Sequence, residues 1–386
     1  MKFVPSDELK PGMRLAKPIY NKNGVLLFDR DTRLTLPGIN SISNFGLIGI
    51  YILEPAEPLP PLTKEDIEFE QSQTVYMFKL RNVLDQIERK EKLGTELRSL
   101  IDDILLKYGS LSYRVNFNQN LRSADDFVYK HAISTAILCA LISHKLGMTK
   151  RIQQIIVATA LLYNIGYRFV PHHILLKEEN ELTEADKDTI QNSLEKGLSC
   201  LYMYNMEYEF MKKAITLCEY YIFSTSSSKS IKRPDPSLIT LMNILKVADV
   251  FDQTTGMKLN HTPESEIAAM RKLEEDPEHF DAKIVKALAQ CIHIVPAGAS
   301  VDLSTKEKAI VIEENNANYL HPLLLNLTSF QLINLQDPKE AQRVQIVDLM
   351  KTMDNRIAID EETLKHFVAD KKIKETANRF RLGLQK

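Results

Sequence analysis

Few side chains in this 386-residue sequence stand where their chemistry conflicts with their surroundings. His131 falls on the apolar face of a helix predicted over Asp125–Leu146, one turn before Thr135 and Leu138. Asp249 shares one helical face with Leu238, Leu241, Met242, Leu245 and Ala248. A carboxylate on an apolar face needs a partner or a raised pKa. The adjacent pair His172-His173 invites a metal reading, but neighbours on an extended loop point to opposite sides and chelate one ion poorly. Four cysteines, Cys139, Cys200, Cys218 and Cys291, are scattered singly. They fit neither a disulfide framework nor a zinc spacing and read as buried thiols.

The helix ahead of Tyr163-Asn164 carries apolar or small residues at Ile152, Ile155, Ile156, Thr159 and Ala160. That 3.6-residue stripe turns Tyr163 inward. Gly166 ends the helix, and Val170-Pro171 begins an extended loop. Thr183 with Asp186 three residues on marks the start of the next helix, followed by a helix over Met211–Phe223. A polar run of turn formers, STSSSKSIKRPDP, precedes the helix of Asp249.

Upstream, residues 1–54 read as a small α+β unit, with strands at Arg14–Tyr20, Val25–Phe28 and Ile48–Leu53 and a helix at Pro37–Phe45. The stretch EPAEPLPP, with four prolines in eight residues, makes 55–62 a stiff linker. Residues 63–109 are a charged helical spacer broken at Gly94, either a dimerisation hairpin or a unit packed on the next domain. A helical domain follows over 110–294, with its last helix at Ala282–Ile292. A small β extension spans 295–335, with strands at Ala309–Ile312, Leu323–Leu327 and Phe330–Leu335. The remainder, 336–386, reads as a charged helical tail.

Lys plus Arg is 49 and Asp plus Glu is 51, a net charge of −2. That balance gives no global pull toward nucleic acid or anionic membrane. No apolar run approaches the ~18 residues of a membrane span, and the first residues show no signal core. The expectation is a cytoplasmic protein. The basic groups Lys229, Lys232 and Arg233, and Lys371, Lys372, Lys374, Arg379 and Arg381, read as solvated.

The stretch IQQIIVATALLYNIGYRFVPHHILLKEENELT and the segment LKVADVFDQTT resemble the metal-binding helices of the HD-GYP phosphohydrolases. PGMRLAKPIYNKNGVLLFDRDTRLT resembles the small domain often found ahead of them, and HIVPAGASVDLSTKEKAIVI their short β extension. The resemblance covers about 1–327. It implies a helical domain that holds two or three iron or manganese ions and cuts cyclic di-GMP. Neutral imidazole and carboxylate suit such ions, which turn a bridging water into hydroxide and neutralise the phosphodiester.

His131 and Asp249 match ligand positions of that pattern. Tyr163 and Asn164 stand for its His-Asp pair, Ser193 for a histidine, and Glu219 or Tyr220 for a His-His-Glu segment. Tyr167 stands for the catalytic lysine, and no Gly-Tyr-Pro loop is present. Phenol titrates near ~10 and is a poor ligand at neutral pH; asparagine brings no charge. The resemblance therefore implies a mainly α protein with vestigial metal positions, no catalytic residue and no metal. His131 and Asp249 would form a relic polar cluster with Tyr163 and Asn164, hold one weakly bound cation with Glu195 or Glu219, or line a nucleotide pocket. The leading expectation is not an enzyme but a signalling protein that binds a protein partner, a homodimer included. Two alternatives stand beside it: an active metal-dependent phosphodiesterase with an atypical ligand set, and a non-hydrolysing cyclic di-GMP effector. Arg168, Tyr220, Tyr221 and Arg233 are the candidate nucleotide contacts.

Overall fold

The structure is a computed structural model and describes residues 2–45, 47, 49–53, 62–91, 94–117, 122, 126–203, 208–224, 235–256 and 263–350. The linker 54–61, most of the STSSSKSIKRPDP run with Arg233, and the tail beyond 350 lie outside the described residues. The fold is mainly α, with small antiparallel sheets at either end of a helical domain.

The N-terminal unit runs β1 (Lys2–Pro5), β2 (Arg14–Leu15), β3 (Ile19–Tyr20), β4 (Leu26–Phe28), α1 (Leu36–Asn44) and β5 (Gly49–Leu53). Strands β1, β5 and β2 form one sheet in that order, and β3 pairs with β4. The strand expected over Arg14–Tyr20 is split in two, and β1 was missed because KFVP reads equally as a start-up coil. Lys17 bridges to Glu70 at 3.1 Å and Gln71 donates to the Gly24 carbonyl at 2.6 Å, which docks this unit on the next helix.

The predicted spacer is α2 (Lys64–Glu88) and α3 (Glu96–Tyr108). Thr63 and Asp66 close a capping box at the start of α2. Phe69, Leu80, Val83, Leu84, Leu100, Ile101 and Ile104 are buried in the same core as the following helices. Of the two readings, packing on the domain is the one observed. Next come α4 (Phe127–Lys145), α5 (Lys150–Leu162), the four-residue α6 (His172–Leu175), α7 (Glu184–Met203), α8 (Glu209–Ser224), α9 (Pro236–Thr255), α10 (Glu266–Glu274) and α11 (Ala282–Cys291).

Helix α4 is apolar nearly all round because α2, α3, α5, α9 and α11 all pack on it. By length and composition it is apolar enough to cross a membrane, which corrects the expectation that no segment approaches that length; most of its apolar window is buried inside the core. Gly147 takes a φ of 71°, and the amides of Gly147 and Met148 bond back to His144 and Ser143 to end α4. The segment after Gly166 is a 3-10 turn over Ile165–Phe169 and then α6, where an extended loop was expected. His172 and His173 open α6 and are both exposed.

Gly166 and Gly197 let the 3-10 turn and α7 touch backbone to backbone. A Cβ on Gly166 would sit 2.4 Å from the Leu194 Cα, and one on Gly197 would sit 2.5 Å from the Gly166 Cα. Beyond α11, β6 (Ser300–Leu303), β7 (Lys308–Glu313), β8 (Leu323–Asn326), β9 (Leu332–Asn334), α12 (Pro338–Arg343) and β10 (Ile346–Leu349) form one further unit. Its sheet order is β10-β6-β7-β8-β9. The β extension therefore runs to Leu349, and 336–350 is not part of a helical tail. Ile346 and Leu349 are buried, and Arg271 of α10 donates to the Ile346 carbonyl at 3.0 Å.

Candidate functional site

Helix α4 delivers His131 into the middle of the helical domain, where it is 1% exposed. Its Nε2 lies 2.8 Å from Asp249 Oδ1 and its Nδ1 2.5 Å from Asp252 Oδ2. Both carboxylates come from α9, whose i, i+3 spacing puts them on one face. With a carboxylate at each ring nitrogen, both nitrogens act as donors and the ring is an imidazolium. Asp252 also takes a bidentate pair from Arg122, at 2.6 and 2.7 Å. A Cβ on Gly256 would stand 2.8 Å from that guanidinium, so the glycine leaves room for it.

Asp249 is the hub. Tyr163, at the end of α5, donates its hydroxyl to Oδ1 at 2.7 Å, and Tyr221 of α8 donates to Oδ2. Gln253 adds a donor at 2.9 Å. The Tyr163 hydroxyl is also 2.7 Å from His131 Nε2, so it accepts from the imidazolium while donating to the carboxylate. The rings of Tyr163 and Tyr221 meet edge to face at 5.2 Å, and Phe127 stacks on His131 at the same separation. Tyr167 meets Phe127 edge-on, so the position expected for a lysine holds one more ring in an aromatic stack.

Burial alone pushes the His131 pKa down, but hydrogen bonds and charge from Asp249 and Asp252 outweigh it and leave it raised. Burial likewise opposes ionisation of both carboxylates. His131, Tyr221 and Tyr163 hold Asp249 below its usual range, and Arg122 with His131 does the same for Asp252. Burial, then the Asp249 charge, pushes the Tyr163 and Tyr221 phenols well above their usual range.

A pH dependence of stability follows. A raised histidine contributes stability fully below its unfolded value, and that contribution is lost as pH climbs through the folded one. Depressed carboxylates contribute above their unfolded value and lose it in acid. Between about pH 6.5 and the folded value of His131, unfolding releases a proton and stability falls by about 1.4 kcal/mol per pH unit at most. Urea midpoints measured from pH 6 to 9 should fall in the wild type. A flat profile would show that His131 is not held charged.

Of the positions expected around this centre, the structure brings together His131, Tyr163 and Asp249, and adds Tyr221. Asn164 is buried, and neither atom of its amide has a hydrogen bond among the described residues. Ser193 is buried on α7, with its carbonyl against Gly166. Glu219 points elsewhere and accepts from Tyr202 at 2.5 Å, while Tyr220 is half-buried against the core. Of the expected nucleotide contacts, Arg168 and Tyr221 make contacts within the protein. Arg168 pairs with Asp85 and Glu88 of α2 at 2.6 and 2.7 Å and packs on Tyr129, so its guanidinium is committed to holding two helices. Tyr221 is buried on Asp249. Asp252 and Arg122 were missed: the signal for Asp252 was the three-residue step from Asp249, while Arg122 lies in a stretch with no periodicity.

Iron or manganese would need neutral imidazole and carboxylate lone pairs that are open. Here His131 spends both nitrogens on carboxylates, and the Asp249 oxygens accept from phenols. The donor set does not fit a two-metal centre. A cavity of about 420 Å³ lies between α10, α11 and the loop before β8, lined in part by Arg114, Phe280, Lys286 and Tyr319; it shares no lining residue with the His131 centre.

No protein-family model matches the chain. Over 205 residues it is 23% identical to the cyclic di-GMP phosphodiesterase PA4108 of Pseudomonas aeruginosa, an alignment covering 52% of this chain and 48% of that protein. The chain thus spans about half the length of the curated relative it matches. A solved structure titled Bd1817, a HDG"Y"P protein from Bdellovibrio bacteriovorus, aligns with 74% of this chain and 97% of its own at 11% identity and a TM-score of 0.42. The resemblance read from the sequence and the relative agree on cyclic di-GMP phosphodiesterases. The expectation that the chain is not an enzyme is overturned by the same finding, because the relative is named as an enzyme.

Proposed function

We propose that this protein serves cyclic di-GMP signalling in the bacterial cytoplasm, engaging the dinucleotide through its phosphodiesterase-like helical domain. The observation that carries this reading is the meeting of His131, Tyr163 and Asp249 from three different helices at one point. His131 and Asp249 match ligand positions of the cyclic di-GMP hydrolase pattern, Tyr163 stands where that pattern has a histidine, and the named relative points to the same ligand.

The test is a calorimetric titration of the full chain with cyclic di-GMP. Alongside it, the nucleotide is chromatographed after incubation at high protein concentration with manganese or ferrous iron. Saturable binding at about micromolar or tighter, or linear dinucleotide formed in proportion to protein, supports the reading. The absence of both binding and product would overturn it.

A further inference from the structure

We infer that the His131 centre is closed by protons and built without a divalent ion, with the Tyr163 and Tyr221 hydroxyls occupying on Asp249 the lone pairs a metal would use. The inference is independent of the cyclic di-GMP reading, since it concerns how this chain fills its own core.

Charge balance is the first support. Asp249 and Asp252 carry two negative charges, and the His131 imidazolium and Arg122 guanidinium carry two positive ones, all within contact distance and buried. These four groups sum to zero. A divalent ion added among them would leave a buried excess of positive charge, even after His131 gave up its proton to become a ligand. Uncompensated charge in such an interior is strongly unfavourable.

The donor geometry is the second support. Asp249 accepts from His131, Tyr163 and Gln253 at Oδ1 and from Tyr221 at Oδ2, so both oxygens are engaged by protein donors. A phenol could ligate only as phenolate, and burial beside Asp249 pushes both phenols away from that form. Among the described residues, no group of three or more His, Cys, Asp or Glu is arranged to hold a metal ion. Tyr163, Tyr221, His131 and Asp249 come from α5, α8, α4 and α9. The hydroxyls therefore tie four helices at one carboxylate, the mechanical task a bound ion would otherwise perform.

The experiment is elemental analysis of the purified full chain. Thermal melts follow with EDTA, manganese, ferrous iron (anaerobically) or zinc, for the wild type and for Tyr163→Phe and Tyr221→Phe. The expected result has no stoichiometric metal and a wild-type midpoint unmoved by chelator or ion. Each Tyr→Phe variant should melt about 1–4 °C lower, with no recovery on adding metal. Stoichiometric metal whose removal lowers the midpoint would overturn the inference. So would an ion-induced rise of several degrees that disappears in Asp249→Asn. Phe variants that melt like the wild type would refute the part assigned to the hydroxyls. The wild-type arms need no variant to fold.

Discussion

Replacing Asp252 by alanine should cost about 3–5 kcal/mol, because two buried cations lose their common anion. Arg122 keeps its guanidinium at 1% exposure with no carboxylate to receive its paired N–H groups, and His131 loses the partner at Nδ1. The remaining carboxylate, Asp249, is already committed to two phenols. Urea unfolding at pH 7, followed by circular dichroism, measures the loss as a shift in midpoint at constant slope. A change below about 1 kcal/mol would mean that water reaches these groups and that the centre is not the closed ion network described. Adding Arg122→Leu to Asp252→Ala should recover part of the loss, since the second change removes one of the stranded charges.

Gly166→Ala should be nearly as damaging for a different reason. Its methyl carbon would meet the Leu194 Cα at 2.4 Å, the Ser193 carbonyl oxygen at 2.6 Å and the Leu194 nitrogen at 2.9 Å. All three are backbone atoms, so no side chain can rotate away and α7 must back off as a unit. Overpacking of this kind costs about 1–3 kcal/mol and more where the neighbour is rigid; we expect about 3 kcal/mol. Gly197→Ala, which drives a methyl into the Gly166 backbone from the opposite side, should do the same. A variant as stable as the wild type would show that α7 is not held against the 3-10 turn by backbone contact.

The elements with strong period were legible from residue types alone. Ile152 through Ala160 predicted α5 and the inward turn of Tyr163, and Thr183 with Asp186 does cap α7, the Thr183 amide donating to Asp186 at 2.9 Å. Leu238 through Asp249 predicted α9. What escaped had no local signature. β10 is a four-residue strand whose identity comes from pairing with β6 across more than forty residues of chain. The site divided along the same line. His131 and Asp249 were visible because polar residues on apolar stripes are conspicuous. Asp252 was hidden in plain view one turn further on, and Arg122 is defined only by what it meets 130 residues away. The pairing of Arg168 was invisible for the converse reason, since its acidic partners Asp85 and Glu88 sit on a helix whose docking no local pattern announces.

The ion pairs of the His131 centre span 118, 121 and 130 residues of chain. Closing a segment that long costs chain entropy before any of these bonds can form. Helices α4 and α5, by contrast, are joined by a short turn and can pair early. The centre is therefore a late event on the way to the native state, a bolt thrown after the door has swung shut. Its loss should leave the rate of folding almost untouched and quicken unfolding. For Asp252→Ala that means a chevron whose unfolding limb rises while its refolding limb overlays the wild type.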